Sequence, residues 1–550
     1  MKNITLTLSS GKTITTPLGT TVSEFLDYFE KKDNEILAVS VNNAIFSLNY
    51  PLLYNAKIAP VYDNTKSGAE VYRRSLCFLL AAAAHKVYPK AHLRVGHSLG
   101  YGYYYTLDTG IKITDQEINS ITCEMKNMVQ QDLPIKTDLI SYHDAKELFS
   151  KLELTETLKQ LECICTPVLA VNTLDDFSDM FFGALVKSTA TLKYFDLMPY
   201  GEGFLLRFPT TSEPHKISEF KDIPELFAIY SRYKKWGKQI GVTSVASLNE
   251  LINKRKINDF INISETFQTK CISNIADKIS QNKNVKVILI AGPSSSGKTT
   301  SSKKLALQLQ AIGYKPQLIS LDDFYVGRER NPKDENGNYD YECLEALDIP
   351  YLNQLLIDLF NGKEVEMPSY DFTAGKRFFS GKKMALGKND ILIMEGIHGL
   401  NDRLTPLIAP ELKFKIYLSA LTQLNLNDHT RISTSDNRLI RRIVRDAQFR
   451  GKSAAATISM WSNVQKGEKL HIFPFQRNAD VMLNTALDYE LAVLKVYAVP
   501  LLRVITPDCP EFTEASRLLR FLDNFSPIPE RDVPDRSIIR EFIGGSAFKY

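Results

Sequence analysis

The residues best suited to chemistry lie in GPSSSGKTT, positions 292–300. The spacing G-x-x-x-x-G-K-[ST] is met by Gly292, Gly297, Lys298 and Thr299. A segment of this kind curls so that consecutive backbone N–H groups face one anion. A helix starting behind it adds the partial positive charge of its N-terminus. Gly292, Ser294, Ser295, Ser296, Gly297, Lys298, Thr299 and Thr300 therefore form an expected cradle for a nucleotide triphosphate. Lys298 would reach the β- and γ-phosphates, and the Thr299 hydroxyl would ligate Mg²⁺. The bland alternative is a Gly/Ser-rich turn with an exposed lysine. The apolar run 285–291 before the loop and the helical pattern 298–312 after it argue against that alternative.

Acids come next. A short apolar strand at 316–321 runs into Asp322. Ligands of open α/β sheets bind beyond the carboxyl ends of strands, where an aspartate can take the proton of an attacking hydroxyl. Glu395 ends another apolar run, 391–394, just before Gly396, and suits Mg²⁺ or its water shell. Arg438, Arg441, Arg442 and Arg445 then recur at helical spacing, followed by Arg450 and Lys452. Clustered guanidinium groups repel unless an anion lies among them, and a lid over a triphosphate would use them. A GTP switch protein would want NKxD; residues 253–256 read NKRK and lack the aspartate.

The elements that must position these groups follow from the rest of the chain. At 550 residues, three or four domains are expected. From 285 to 507 short apolar strands alternate with helical stretches, which predicts a parallel sheet covered on both faces. Strands are expected at 285–291, 316–321, 391–394 and 414–418, with a last one at 501–505. Residues 1–62 read as strand, hairpin, helix and more strand, a β-grasp pattern. Residues 66–205 begin with an apolar helix to Val87 and carry an aromatic hairpin at 99–113 and a helix behind Thr114. A linker at 209–217 leads into a helical connector to 282, and the tail 508–550 is rich in turns.

Bulk composition excludes several classes. Basic and acidic residues number 67 and 63, a formal charge of +4, which is too balanced for a nucleic-acid binder by charge alone. The longest apolar run, which takes in 77–84, is far below the roughly 20 residues that span a bilayer. No membrane partner and a cytoplasmic location are expected. Seven scattered cysteines without a CxxC pair suit reduced thiols. Cys163 and Cys165 read as strand cysteines facing opposite sides rather than as metal ligands.

The stretch 285–505 resembles the uridine kinase and phosphoribulokinase family. The matching pieces are GPSSSGKTT, LDDFY at 321–325, NYD at 338–340, YDF at 370–372, EG at 395–396 and RRIVRD at 441–446. The resemblance implies an α/β P-loop kinase using ATP–Mg²⁺, with a nucleoside 5′-hydroxyl as acceptor. It makes Asp322 the general base and gives catalytic roles to Lys298, Arg442 and Arg445. Asp340 would hold the ribose hydroxyls, Tyr370 and Phe372 would flank the base, and Arg442 would also touch the acceptor. Two departures concern the base. A histidine after the YDF motif is replaced by Thr373-Ala374-Gly375, and a glutamine further on by Met460.

The first half resembles other proteins: 1–62 a TGS domain, and 66–205 the editing domain of threonyl-tRNA synthetase. GYGYYYTLD at 100–108 and DMFFGALV at 179–186 carry this likeness. The metal-binding HxxxH and CxxxH pairs of that domain read here Arg74 and Phe78, then Phe181 and Leu185. The implied architecture is multidomain, a P-loop kinase preceded by β-grasp and α+β editing-like domains with the metal ligands lost. RNA contact through the first half and a homo-oligomer are further expectations of resemblance. Two rival functions stay open: a kinase of the same fold for another small hydroxylated acceptor such as a sugar phosphate, and a tRNA- or nucleotide-sensing regulatory ATPase.

Overall fold

The computed structural model describes residues 2–30, 34–108, 113–333, 337, 339–371 and 374–549. Two compact units divide the chain. The first comprises Met1–Arg255, Gln423–Ser433 and Val499–Pro527; the second comprises Lys256–Thr422, Thr434–Ala498 and Ile528–Tyr550.

The first unit opens with a mixed sheet of five strands, in the order Thr13–Pro17, Asn3–Leu8, Ala56–Tyr62, Ile36–Val41, Ala44–Phe46. Alternation sets its face: Ile4, Leu6 and Leu8 are buried, while Asn3, Thr5 and Thr7 point outward. Its two middle neighbours, Asn3–Leu8 and Ala56–Tyr62, run parallel. The short helix Val22–Tyr28 starts with a capping box of Thr21 and Glu24. Next comes the helix Lys66–Val87, buried along nearly all its length from Gly68 to Ala84. It is the axis of the largest core of this unit. An antiparallel sheet of four strands packs beside it, in the order Asp196–Tyr200, Gly203–Arg207, Gly102–Asp108, His92–Leu99. The helix Asp115–Gln130 begins behind Thr114, whose side chain accepts from Gln116 N–H.

Three expectations need correction. The aromatic hairpin turns at 100–101 between His92–Leu99 and Gly102–Asp108, so it starts seven residues early, and 109–112 lie outside the described residues. Cys163 sits in the helix Thr155–Ile164, and Cys165 closes it in a left-handed conformation; neither is on a strand. The run 501–505 is the last three residues of the helix Glu490–Arg503 and the turn after it, not a strand. A run of five apolar residues carries no period of its own, and here it continues a longer helical burial pattern.

The second unit is built on a five-stranded sheet, all parallel. Its order is Lys315–Ser320, Asp390–Glu395, Val287–Ala291, Lys413–Ser419, Val481–Asn484. The central strand Val287–Ala291 is buried at every residue, which explains its unbroken apolar sequence. The last strand is Val481–Asn484. Register aligns Ile290 with Glu395, and Ser320 with Glu395 on the other side. Three strand ends therefore open at one edge of the sheet. A separate hairpin, Val365–Asp371 with Lys376–Met384, carries Tyr370.

Candidate active site

The site lies within the second unit, where strands of the parallel sheet end. Gly292 follows the central strand, and a side chain there would put its Cβ 2.4 Å from the Leu418 carbonyl oxygen. Gly297 has φ +79° and caps the helix Lys298–Ala311. The two glycines thus serve close approach and left-handed geometry respectively. Between them Ser295 also adopts a positive φ, 58°.

Lys298 Nζ donates to the carbonyls of Gly292 at 3.0 Å and Pro293 at 3.3 Å. It therefore lies back across the mouth of the loop. The Thr299 hydroxyl donates to Glu395 Oε1 at 3.0 Å. Gly396 is needed beside that acid, because a Cβ there would lie 2.6 Å from Leu321 Cβ. Burial pushes the Glu395 carboxyl up to about 7, with the Asp322 charge adding to the shift; Lys298 and Thr299 pull the other way. A carboxylate and a hydroxyl so paired fit a hard divalent cation: both are oxygen donors, and a positive charge would offset the penalty that Glu395 carries.

Asp322 stands at the end of Lys315–Ser320, in the short turn Leu321–Phe324. Its side chain reaches solvent, with protein atoms packed closely around it. That crowding raises its pKa, against the pull of Lys298, Arg450 and Arg445. Asp323 does different work: its Oδ1 accepts from Tyr370 N–H at 3.2 Å and fixes the hairpin to the turn. Tyr370 faces Tyr325, with ring centroids 5.6 Å apart. Phe372 lies outside the described residues. Where the family's histidine would stand, Gly375 packs against the Arg328 guanidinium, which a Cβ would approach to 2.8 Å.

Asp340 Oδ1 accepts from Glu342 N–H at 2.9 Å, and its Oδ2 lies 4.0 Å from His471 Nε2. Glu342, which nothing in the motif spacing marked, is half-buried beside this turn. Burial and the Glu468 charge raise its carboxyl to about 7.

The arginine helix, Thr434–Phe449, does not present one basic face to a ligand. Arg438 pairs with Glu468, and its Nε donates to the Ser294 carbonyl at 2.9 Å. Arg441, fully buried, pairs with Glu490 and donates to the Ser295 carbonyl at 3.2 Å and to the Thr485 carbonyl at 2.9 Å. These two hold the outside of the phosphate loop. The anions among the guanidinium groups are the protein's own carboxylates, Glu468, Glu490 and Asp446. Arg442 Nη1 donates to the Ser294 hydroxyl at 2.7 Å. Arg445 is half-buried, and burial and Arg450 lower its pKa to about 10. The lid expected from all four arginines is thus corrected for Arg438 and Arg441, which clamp the loop backbone. Glu468, whose Oε1 also accepts from Ser294 N–H at 3.0 Å, is a loop-positioning residue that spacing could not reveal.

A parallel sheet, a glycine loop opening a helix, and acids at the neighbouring strand ends together define a P-loop phosphotransferase. The phosphoribulokinase/uridine kinase family model matches residues 287–492. The uridine kinase of Limosilactobacillus reuteri is 33 % identical over 217 residues, 39 % of this chain and 90 % of that enzyme. That of Staphylococcus haemolyticus is 31 % identical over 211 residues, 38 % of this chain and 92 % of its own length. The chain belongs to the phosphoribulokinase/uridine kinase family. Toward its N-terminal half it is similar to the threonine–tRNA ligase of Desulforamulus reducens, 32 % identical over 200 residues. That match takes in 36 % of this chain and spans only 31 % of the ligase. The solved structure of a possible uridine kinase from Bacillus stearothermophilus is 21 % identical, covering 39 % of this chain and 97 % of that one, with a TM-score of 0.26. Among the described residues no helix is long and apolar enough to cross a membrane.

Proposed function

We propose that the chain transfers the γ-phosphoryl group of ATP to the 5′-hydroxyl of a uridine-like nucleoside. The observation that carries this reading is the convergence of Lys298, the Thr299–Glu395 pair and Asp322 at one sheet edge. Asp322 accepts the proton of the attacking hydroxyl, and its raised pKa makes it a better base than an ordinary aspartate. Lys298, Arg442 and Arg445 balance charge on the phosphates. Backbone N–H groups of 292–300 orient the phosphate chain. Thr299 and Glu395 would hold Mg²⁺, which supplies charge neutralisation between the β- and γ-phosphates when bound. Asp340 accepts from the ribose hydroxyls, and Tyr370 with Phe372 flanks the base. Residues 1–62 and 66–205 act as TGS-like and editing-like domains, a scaffold with a role in RNA contact. The kinase works in the cytoplasm as a homo-oligomer.

A second reading, a sugar-phosphate acceptor, is favoured by Arg328. Its guanidinium lies against Gly375 and acts on Tyr370, where a base-reading histidine would stand in a pyrimidine kinase. An acceptor screen with ATP separates the two, reading ADP release. Uridine, cytidine and purine nucleosides form one arm and pentose and hexose phosphates the other. Acceptor-dependent turnover only in the nucleoside arm is expected. Turnover only with sugar phosphates would transfer the acceptor site to the second reading, and none in either arm would favour a regulatory ATPase.

A further inference from the structure

The carboxyl-terminal tail contributes a side chain to the phosphate loop. Glu541, in the short helix Arg540–Ile543, accepts from Thr300 N–H at 3.1 Å and from the Thr300 hydroxyl at 2.7 Å, both on Oε2. Thr300 is the third residue of the helix Lys298–Ala311. Its N–H therefore has no partner four residues back in the helix and points out of the helix end, with those of Lys298 and Thr299. In a loop of this kind such groups are the donors for the phosphate chain. Glu541 also lies in the field of the charges that face this end of the loop. Lys303 and Arg445 attract it, and Glu395 shares its sign.

The tail is firmly seated. Ile538 and Phe542 are fully buried. A Cβ on Gly297 would lie 2.8 Å from Ile538 Cγ2, and the Arg441 guanidinium lies 5.0 Å from the Phe542 ring centroid. The backbone around Glu541 is thus fixed beside the loop, while the glutamate side chain itself is only half-buried. An anion tethered in this way faces the Thr300 donors at an effective concentration on the order of millimolar.

We propose that Glu541 is an internal competitor for the nucleotide's phosphate chain. Its carboxylate takes the Thr300 donors when nucleotide is absent and must turn away when a phosphate oxygen arrives. One N–H cannot serve two anions at full strength, and a carboxylate left beside a polyphosphate repels it. The proposal rests on the nucleotide site assigned above, and it makes the tail a determinant of nucleotide affinity. It requires no movement of the tail backbone, only a rotation of one side chain.

The test is calorimetric titration of MgADP into the full chain, comparing wild type with Glu541→Gln and Glu541→Asp. The first variant removes the charge; the second keeps it but draws the carboxylate back by one methylene. We expect the dissociation constant to fall about 3- to 10-fold in Glu541→Gln and by less in Glu541→Asp. If the Gln variant does not fold, a tighter Asp variant still supports the competition. Unchanged or weaker binding by the folded variants overturns it and leaves Glu541 as a plain helix cap. Absence of binding in all three proteins removes the nucleotide site itself, and the competition with it.

Discussion

Two regions of this chain treat their polar groups differently: the phosphate loop in the part that matches the kinase family model, and the Phe78–Phe181 core in the half similar to threonine–tRNA ligase. At the phosphate loop, polar groups stay costly. Glu395 and Glu342 are both held near 7 by burial, and Asp322 is raised as well. Around Phe78 and Phe181 the packing is mostly apolar. Phe78 and Phe181 pack with ring centroids 4.9 Å apart, and Leu185 is buried beside the same core. The Arg74 guanidinium is satisfied by the Ala184 carbonyl at 2.8 Å. Perturbed carboxylates clustered at strand ends are what a functional site holds, whereas close-packed aromatic and aliphatic side chains are what a core holds.

The sharpest way to break this contrast is Asp322→Asn. The substitution keeps size and removes the carboxylate proposed as the base. Turnover in the acceptor assay is expected to fall roughly 10²- to 10⁴-fold with MgADP affinity kept. Near-normal turnover would take Asp322 out of the mechanism and leave its raised pKa a by-product of crowding.

Stability should respond in the other region. Phe78 is fully buried, so Phe78→Ala is expected to cost about 3–5 kcal/mol of stability, read by denaturant unfolding of the full chain, with MgADP affinity unchanged. Arg441→Met offers the mixed case. It leaves Glu490 buried without its cation, with the Asn437 amide still donating to it, and frees two carbonyls, Ser295 and Thr485. A loss of about 3–5 kcal/mol is expected together with weakened MgADP binding, because the loop loses a clamp. Weakened nucleotide binding by Phe78→Ala as well would show that the two regions are not energetically separate.

What could be read from the sequence divides along a physical line. Phosphate-loop residues were legible because glycine at fixed offsets, between a buried strand and a helix, has few other uses. The helix starting behind Thr114 was legible from its cap, and the first sheet from its alternation. The hidden part is chiefly partnership over long separations. Nothing near Arg438 or Arg441 says that Glu468 and Glu490 neutralise them, so spacing alone assigned the charges to a ligand. Glu541 is 241 residues from Thr300 and looks like an ordinary tail acid. Glu342 follows a recognisable NYD segment, yet only the fold shows it half-buried near Glu468 and Arg442. The strand misplaced at 501–505 is the complementary error, a short apolar run with no period to identify it.

The smallest predicted effect concerns pH, and its sign follows from Glu395. The ordinary value of its carboxyl is 4.5, and in the folded chain it is raised to about 7. The native state therefore binds this proton more tightly than the unfolded chain does. The resulting stability is fully present below about 4.5 and is lost as the pH rises through about 7. Glu395→Gln keeps the shape and removes the titration, so its melting temperature relative to wild type should rise between pH 6 and pH 8. Groups that titrate in both proteins cancel in that difference. A divalent cation at Thr299 and Glu395 would act in the opposite sense, since it needs the ionised carboxylate. The gain in melting temperature from MgADP should therefore be larger at pH 8 than at pH 6 in wild type, and less pH-dependent in Glu395→Gln. A flat difference between the proteins, with and without MgADP, would mean that Glu395 carries no strained charge, and the contrast between the two regions would then rest on Glu342 and Asp322.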